Sequence, residues 1–285
     1  MIEISDHAEL AERCHGDLLC LWTAQGLVAK RPGGTSLAAQ RLGREQPGGT
    51  QPGGTQPGLR SRAWRNEDGS AIAVAGAALS TRNRIAVQGR PEAAVPLVRG
   101  VLDVVGSTFR PLGDPDLIAA VVAGIPDLTQ VAAFGWMDSH GPETAPERQR
   151  ADAGAARWLT EAELPDVIAL MSVSFPDSDA QPGGLGVQQW AGVRDVHGRL
   201  AAVTALAWSA PDVGYLAGVA VHPDARGRGY GAAVCGFVLA QALARYGAAA
   251  LMVEEDNEPA IRLYRGLGMS HRTLTAAAVM PRNPP

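Results

Sequence analysis

The sequence lacks long hydrophobic runs and an excess of charge of one sign. Its longest apolar runs, such as AIAVAGAAL at 71–79, are far shorter than the roughly 20 residues that span a bilayer. The formal net charge of the 285 residues is only −4, so nucleic acid and membrane are not expected as partners. The polar, acidic start MIEISDHAEL is unlike a signal peptide. We therefore expect a cytoplasmic protein.

Cysteine is also scarce. Cys14, Cys20 and Cys235 are too few and too irregularly spaced for a disulfide framework or a zinc site. Cys14, His15 and Cys20 would have the right chemistry for a metal cluster, but buried apolar thiols are the better interpretation. We expect no metal.

Proline and glycine are concentrated in a few stretches. QPGGTQPGGTQPG at 46–58 repeats a five-residue unit that RPGGTS at 31–36 resembles, and we interpret 31–60 as a flexible surface insertion. A Pro-rich docking ligand is the alternative, but the PxxP pattern is missing. The loose stretch at 139–154 predicts a linker. The chain should therefore form domains at 1–138 and 155–285.

The second half alternates clear strand and helix signals. Thr160 and Glu163 form a capping box before a helix that reaches about Ser172. The other predicted elements are two strands flanking the turn at 196–199, strands at 214–223 and 249–256, helices at 231–246 and 259–267, and a final strand at 272–280. This order predicts an α/β fold with a mixed sheet.

The first half repeats this order more faintly. It predicts strands at 71–80, 84–89, 107–112 and 131–138, and helices at 91–105 and 114–125. We interpret it as a diverged copy of the second half. The copy has VQGRPEAA where the second half has RGRGYG, so it should lack the glycine loop.

The segment HPDARGRGYGAAV at 222–234 places three glycines between a strand and a helix. Amides at a helix N-terminus bind anions, and glycine lets the anion approach them closely. Such a nest suits a diphosphate, and Arg226 and Arg228 add positive charge. An ordinary connector is the alternative. An RGG-like RNA contact is disfavoured because the loop lies next to a buried helix.

A second segment, MVEEDNEPAIRLYRGLGM at 252–269, places Tyr264 on an apolar helical face. Core packing alone would explain that tyrosine. Together, however, the two segments resemble the GNAT superfamily of acetyl-CoA-dependent N-acetyltransferases. Its motif Arg/Gln-x-x-Gly-x-Gly/Ala is matched by Arg226, Gly229 and Gly231. Its motif Asn-x-x-Ala-x-x-Leu-Tyr-x-x-x-Gly-Phe is matched, with Met269 in place of the aromatic residue, by Asn257, Ala260, Leu263, Tyr264 and Gly268.

The resemblance implies a mixed, mostly antiparallel sheet with splayed central strands flanked by helices, in a tandem of one degenerate and one intact domain. It implies acetyl-CoA as the acyl donor and direct attack, in a ternary complex, by the primary amine of a small molecule or peptide. A strand amide near Ala220 or Val221 would stabilise the oxyanion, and Tyr264 would protonate the thiolate. The implied cofactor-binding residues are Val219, Ala220, Val221, Arg226, Gly227, Arg228, Gly229, Tyr230, Gly231, Ala232, Asn257 and Tyr264.

The general base is less well defined. Some family members have a glutamate at the position of Met252, and Glu254 shares its strand face, which makes Glu254 the first candidate. A solvated acid at a strand end is an equally good interpretation of Glu254. His222 is a further candidate because histidine is a common general base, although a residue there more often caps a turn. A water chain without a dedicated base is a further alternative.

The acceptor site is the least determined. Asp177 and Asp179, in SFPDSDAQPGG at 174–184, would suit a cationic amine, although a turn is slightly favoured. For Trp190, Trp208 and Tyr215, core packing is the better interpretation. Two other functions stay open: a non-catalytic acyl-CoA-binding module and a nucleic-acid binder. Whether the chain forms a homodimer also stays open.

Overall fold

The computed structural model of the protein describes residues 1–27, 61–141 and 155–280. Its strands are β1 (Ile2–Ile4), β2 (Arg62–Arg65), β3 (Ala71–Leu79), β4 (Arg82–Gly89), β5 (Arg110–Gly113), β6 (Leu128–His140), β7 (Arg157–Trp158), β8 (Val187–Arg194), β9 (Leu200–Ala207), β10 (Gly214–Val221), β11 (Ala248–Val253) and β12 (Ser270–Val279). Its helices are α1 (His7–Arg13), α2 (Leu18–Thr23), α3 (Pro91–Val105), α4 (Pro115–Gly124), α5 (Leu164–Ser174), α6 (Tyr230–Tyr246) and α7 (Glu258–Gly266).

The twelve strands and the helices beside them form an α/β fold. Contacts divide the chain into a first unit, Met1–Phe134 with Thr273–Pro285, and a second unit, Gly135–Arg272. The strand order is β1-β2-β3-β4-β5-β12 in the first unit and β6-β11-β10-β9-β8-β7 in the second. Most pairs are antiparallel, whereas β4–β5 and β10–β11 are parallel. The predicted mixed, mostly antiparallel sheet is therefore confirmed.

The first unit has its core between α3, α4 and the strands. Helix α3 buries Ala94, Leu97, Val98 and Val101, which are spaced so that they form one apolar stripe. Pro91 lies in its first turn and Gly106 caps its end with a φ of +94°, as the propensities of proline and glycine at helix ends favour. The predicted helix at 91–105 is confirmed to the residue.

The second unit has its core around α6, which packs against β8 to β11 and α7. Helix α6 ends at Gly247, whose φ is +84°, the left-handed conformation that commonly ends a helix. The predicted capping box is present. The Thr160 hydroxyl accepts from the backbone amide of Glu163, and the Glu163 carboxylate accepts from the backbone amide of Thr160. This box precedes a single 3₁₀ turn at Glu161–Glu163 and then α5.

The predicted segments between the two halves have mixed outcomes. The insertion at 31–60 lies outside the described residues, and so does 142–154 of the predicted linker. The first two residues of the predicted linker, Ser139 and His140, are the last residues of β6. They pair with Ala249 and Ala248 of β11. The first unit is built from two separate stretches of chain, because β12 pairs with β5 through Thr275 and Ala276. Domains at 1–138 and 155–285 stay a prediction.

Five short elements, β1, α1, α2, β2 and β7, were not predicted. All three cysteines are buried and none of them forms a disulfide, as the sequence interpretation expected of apolar thiols. Of the helices in the described residues, none is long and apolar enough to cross a membrane.

Candidate functional site

A cleft opens between two parallel strands of the second unit. β10 and β11 pair at Gly214 with Ala249 and at Tyr215 with Ala250. Among the described residues, no other residue pair joins these two strands. The rest of β10 continues to Val221 with one edge unpaired. This is the splay that the sequence resemblance implies.

A β-bulge on the other side of β10 accompanies the splay. The register with β9 shifts between Ala217, opposite Ala205, and Ala220, opposite Val203. Two residues of β10 therefore face the single residue Thr204, which is the arrangement that bends a strand and increases its twist. The buried Thr204 hydroxyl donates to the carbonyl of Ala217 at 3.2 Å.

Gly218 lies inside this bulge with a φ of +61°. A Cβ on Gly218 would lie 2.8 Å from Cη2 of Trp190 and 3.1 Å from Cβ of Ala180. Backbone conformation and space therefore both require glycine. Sequence reasoning missed Gly218 and Thr204 as site residues. An isolated glycine inside a strand pattern is a signal for a bulge and would have found the first of them.

The glycine loop connects β10 to α6. His222 caps a single 3₁₀ turn at Pro223–Ala225, with Nδ1 accepting from the amide of Asp224 at 3.3 Å. The turn-cap interpretation of His222 is therefore confirmed. Gly227 and Gly229 follow with φ angles of +73° and +87°, which L-residues rarely adopt.

Six backbone amides after this turn have no hydrogen-bond partner in the described part of the chain. Arg226 still donates to the carbonyl of Pro223 at 3.3 Å, and Ala233 donates to Gly229 at 3.0 Å. Among the described residues, none accepts a bond from the amides between them, which belong to Gly227, Arg228, Gly229, Tyr230, Gly231 and Ala232. These donors lie at the positive end of a 17-residue helix. The side chains of Arg226 and Arg228 are exposed beside them.

The helix-side wall of the cleft is apolar. Val219 and Val221 are half-buried and pack on the core of the second unit, while Ala220 is buried and pairs with Val203. A Cβ on Gly231 would lie 3.2 Å from Val221, so α6 begins level with the end of β10. The Tyr230 side chain points into the core, and Ala232 is half-buried. For Tyr230, only the backbone is therefore available to a ligand.

Tyr264, on α7, is buried in the same core with 5% of its surface exposed. Burial raises the pKa of its phenol well above the ordinary value, and Cys235 and Tyr215 nearby raise it further. Burial likewise raises the pKa of the Cys235 thiol to about 12. Both groups therefore stay protonated at neutral pH. Within the described chain, no residue forms a recorded hydrogen bond with the Tyr264 hydroxyl.

The other predicted site residues lie around the start of α7. Asn257 caps this helix, its Oδ1 accepting from the amide of Ala260 at 3.2 Å. Glu254 is exposed and follows the last residue of β11. Its carbonyl accepts from the amide of Asn257 at 3.0 Å. Met252 is half-buried one residue before the strand ends.

The loop after α5 is held as a sequence of turns. Gln181 donates to the carbonyls of Pro176 and Ser178, and the amide of Ser178 bonds Phe175. The favoured turn interpretation of this segment is confirmed, and Asp177 and Asp179 are exposed in it.

The three aromatic residues considered for the acceptor pocket are Trp190, Trp208 and Tyr215, and all of them are buried. They are core residues, as the sequence interpretation favoured. Within the described residues, no group of three His, Cys, Asp or Glu side chains is arranged to hold a metal ion.

Comparisons with known proteins agree with this geometry. Residues 134–269 match the family described as acetyltransferase (GNAT). A solved GCN5-related N-acetyltransferase from Kribbella flavida is 18% identical, with a TM-score of 0.51 over 75% of this chain and 88% of its own. One from Sphaerobacter thermophilus is 13% identical, with a TM-score of 0.51 over 78% and 81%.

At such identities these two structures support the fold alone, and no curated protein matches the chain. The family match covers the cleft, the glycine loop and Tyr264. Over residues 134–269, this chain is similar to the acetyltransferase (GNAT) family.

Proposed function

We propose that the second unit transfers an acetyl group from acetyl-CoA to a primary amine of a small molecule or peptide. One observation carries the proposal: six backbone amides at the start of α6, which have no hydrogen-bond partner among the described residues, lie next to the cleft between β10 and β11. A buried or half-buried donor without a partner is costly, and a bound anion removes that cost. Coenzyme A carries a diphosphate, which fits this loop, and an amide-containing arm, which fits an unpaired strand edge.

Different residues would bind the diphosphate and the pantetheine arm of coenzyme A. The amides of Gly227 to Ala232 hold the diphosphate, with Arg226 and Arg228 adding charge at the rim. The backbone of Val219 to Val221 pairs with the pantetheine arm as a neighbouring strand would. The left-handed glycines keep Cβ atoms away from the anion.

Acetyl-CoA supplies an activated thioester carbonyl, which an amine attacks directly. The β10 amide near Ala220 or Val221 donates to the carbonyl oxygen as negative charge develops there. Tyr264 gives its proton to the departing sulfur, because its raised pKa keeps the phenol protonated. Glu254 is the candidate base that takes the proton of the amine, directly or through water. His222 is a weaker candidate because its Nδ1 is occupied by the cap of its turn.

The first test is calorimetric titration of coenzyme A into the wild-type protein and into Gly229→Asp. The aspartate adds a negative charge and a strained φ at the loop, so binding should be lost. Gly247→Asp is the matched control, because Gly247 has a similar φ of +84° and open space around it. It lies at the other end of α6, about 25 Å away. A wild-type protein that takes up no coenzyme A would refute the proposal.

The second test is an amine panel with acetyl-CoA, read by the mass of the acceptor and by release of free thiol. A non-catalytic acyl-CoA-binding module is the second candidate, because β11 carries Met252, and Glu254, the candidate base, is exposed beyond the end of the strand. That module would bind coenzyme A and release no thiol with any amine.

We also propose that the first unit is a diverged copy without a cofactor site. The two halves of the chain, from β1 to β6 and from β7 to β12, order their elements as strand, helix, three strands, helix, strand, helix and strand, with a second early helix in the first half. At its corresponding junction, Pro91 has no amide, and the carbonyl of Arg90 accepts from Ala93 and Ala94. The titration should therefore reach saturation at one coenzyme A per chain, and two would contradict this part.

A further inference from the structure

Thr204 lies where the ladder between β9 and β10 is interrupted. Its side chain is fully buried, and its hydroxyl donates to the carbonyl of Ala217 at 3.2 Å. Ala217 is the last residue of β10 before the register with β9 shifts. A bulge leaves an extra residue without a ladder partner, and buried backbone groups require another partner there. The Thr204 hydroxyl therefore provides a hydrogen bond at the point where the regular pairing stops.

The bulge lies next to the point where β10 leaves β11. The parallel pairing of these strands reaches Tyr215, opposite Ala250, and the register with β9 shifts after Ala217, two residues later. On its other side, β11 pairs with β6 from Ala248 to Val253 without a shift. A bulge bends its strand and increases the local twist. β10 therefore bends away while β11 continues in the sheet, and the cleft opens between them.

The first unit provides an internal comparison, because β4 and β5 are also parallel neighbours. There the register of β4 with β3 is regular from Arg84 to Gly89. The ends of β4 and β5 also stay close together, since a Cβ on Gly113, the last residue of β5, would lie 2.6 Å from the carbonyl oxygen of Val87. The parallel strands thus separate where the first of them is bulged and stay together where it is regular.

Ala73 occupies the place in the first unit that corresponds to Thr204. Thr204 lies two residues beyond the partner of the last residue of β10, and Ala73 lies two residues beyond the partner of the last residue of β4. Both side chains are fully buried, so the hydroxyl distinguishes the two positions and exposure to solvent does not. The bulged end of β10 therefore faces a hydroxyl donor, whereas the regular end of β4 faces alanine.

We propose that Thr204 is a positioning residue, which fixes the bulge of β10 and thereby keeps the cleft open for the pantetheine arm of coenzyme A. It acts through the backbone of Ala217 and of the residues that follow. This inference rests on the proposed function, since it assumes that coenzyme A occupies the cleft. It adds a residue on the neighbouring strand β9 on which binding of the arm depends and binding of the diphosphate does not.

The experiment is calorimetric titration with two probes, coenzyme A and 3′-phosphoadenosine 5′-diphosphate, which is coenzyme A without its pantetheine arm. The ratio of the two affinities measures the contribution of the arm. The proteins are the wild type, Thr204→Val, Thr204→Ser and Thr23→Val. Thr23 is the matched control, because it is also fully buried and its hydroxyl donates to a backbone carbonyl, that of Leu19 at 2.7 Å, in α2 of the first unit.

The valine at Thr204 should weaken only the probe that carries the arm. In Thr204→Val, coenzyme A should bind about 10-fold more weakly, the factor that loss of one buried hydrogen bond produces, while the affinity for the nucleotide stays within about 2-fold of the wild type. Thr204→Ser retains the donor and Thr23→Val leaves β10 unchanged, so both should keep the wild-type ratio of affinities. A merely structural role would lower stability in both valine variants and leave that ratio unchanged.

The possible results separate this inference from the proposed function. Failure of coenzyme A to bind the wild type would refute the proposed function, and the inference with it. If the wild type binds coenzyme A, an unchanged ratio in Thr204→Val, or an equal change of the ratio in Thr23→Val, would overturn the inference alone. If Thr204→Val does not fold, Thr204→Cys replaces it, because a thiol is a weak donor, and the ratio should shift in the same direction.

Discussion

Replacing Gly218 by alanine tests how tightly the bulge of β10 is enclosed. An alanine at a φ of +61° costs about 1–2 kcal/mol from its left-handed backbone alone. Its Cβ would also lie 2.8 Å from the Trp190 ring, and overpacking of this kind costs about 1–3 kcal/mol. We expect Gly218→Ala to lower the free energy of unfolding by about 2–5 kcal/mol, a large part of the stability of a typical domain.

Gly198→Ala is the matched control for this experiment. Gly198, in the β8–β9 turn, has a φ of +78°, and no atom lies within 4 Å of a Cβ placed there. It should therefore show the backbone cost without the packing cost. Equilibrium urea unfolding, followed by tryptophan fluorescence, measures both variants with the same assay. Equal losses of stability in the two variants would refute the claim that Trp190 presses on the bulge.

A double variant separates the two contributions further. If Trp190 causes the packing cost, then Gly218→Ala should destabilise a Trp190→Leu background by about 1 kcal/mol less than it destabilises the wild type. The left-handed φ remains in both backgrounds, so a residual loss should persist. Strict additivity of the two substitutions would place the origin of the cost elsewhere.

Three further predictions concern other parts of the second unit. Tyr264→Phe should lower kcat by about 100-fold with an unchanged affinity for coenzyme A by calorimetry, and a normal kcat would remove Tyr264 as the proton donor. Asn257→Ala should lower the free energy of unfolding by about 1 kcal/mol because α7 loses its cap, whereas Asn257→Asp, which can still cap, should not. Hydrogen bonds from Arg157, Arg194 and Thr160 hold the pKa of Glu163 well below its usual range. Ionised Glu163 therefore stabilises the folded state at any pH above its unfolded pKa. This contribution is lost as the pH falls through the folded pKa of Glu163. Glu163→Gln should therefore cost about 1 kcal/mol in urea unfolding at pH 7, with a smaller difference below about pH 4, and an equal loss at both pH values would contradict this reasoning.

Local patterns predicted the parts of the fold that depend on neighbouring residues. Helix α3 matches its predicted bounds because proline and glycine mark its ends and four apolar residues form its stripe. The glycine loop was predicted for the same reason, since glycines between a strand and a helix leave amides free. The capping box at Thr160 is equally local.

Features that depend on distant residues were not predicted. The second part of β6 pairs with β11, more than 100 residues later in the chain, and no local pattern encodes that partner. The bond from Thr204 to the bulge joins two strands, and threonine in a strand pattern gives no sign of it. Strands as short as β1 and β2 carry too few residues for a period to be recognised.

The placement of β12 has a consequence for synthesis on the ribosome. Ala277 lies in the core of the first unit, and Val279 packs against this core. Both residues are nevertheless translated after the whole second unit. Until they emerge, β5 has no neighbour on that side and leaves an open edge. Protein production that stalls or terminates before β12 should therefore yield a first half prone to aggregation, and the fold of the first unit becomes complete only after β12 has been synthesised.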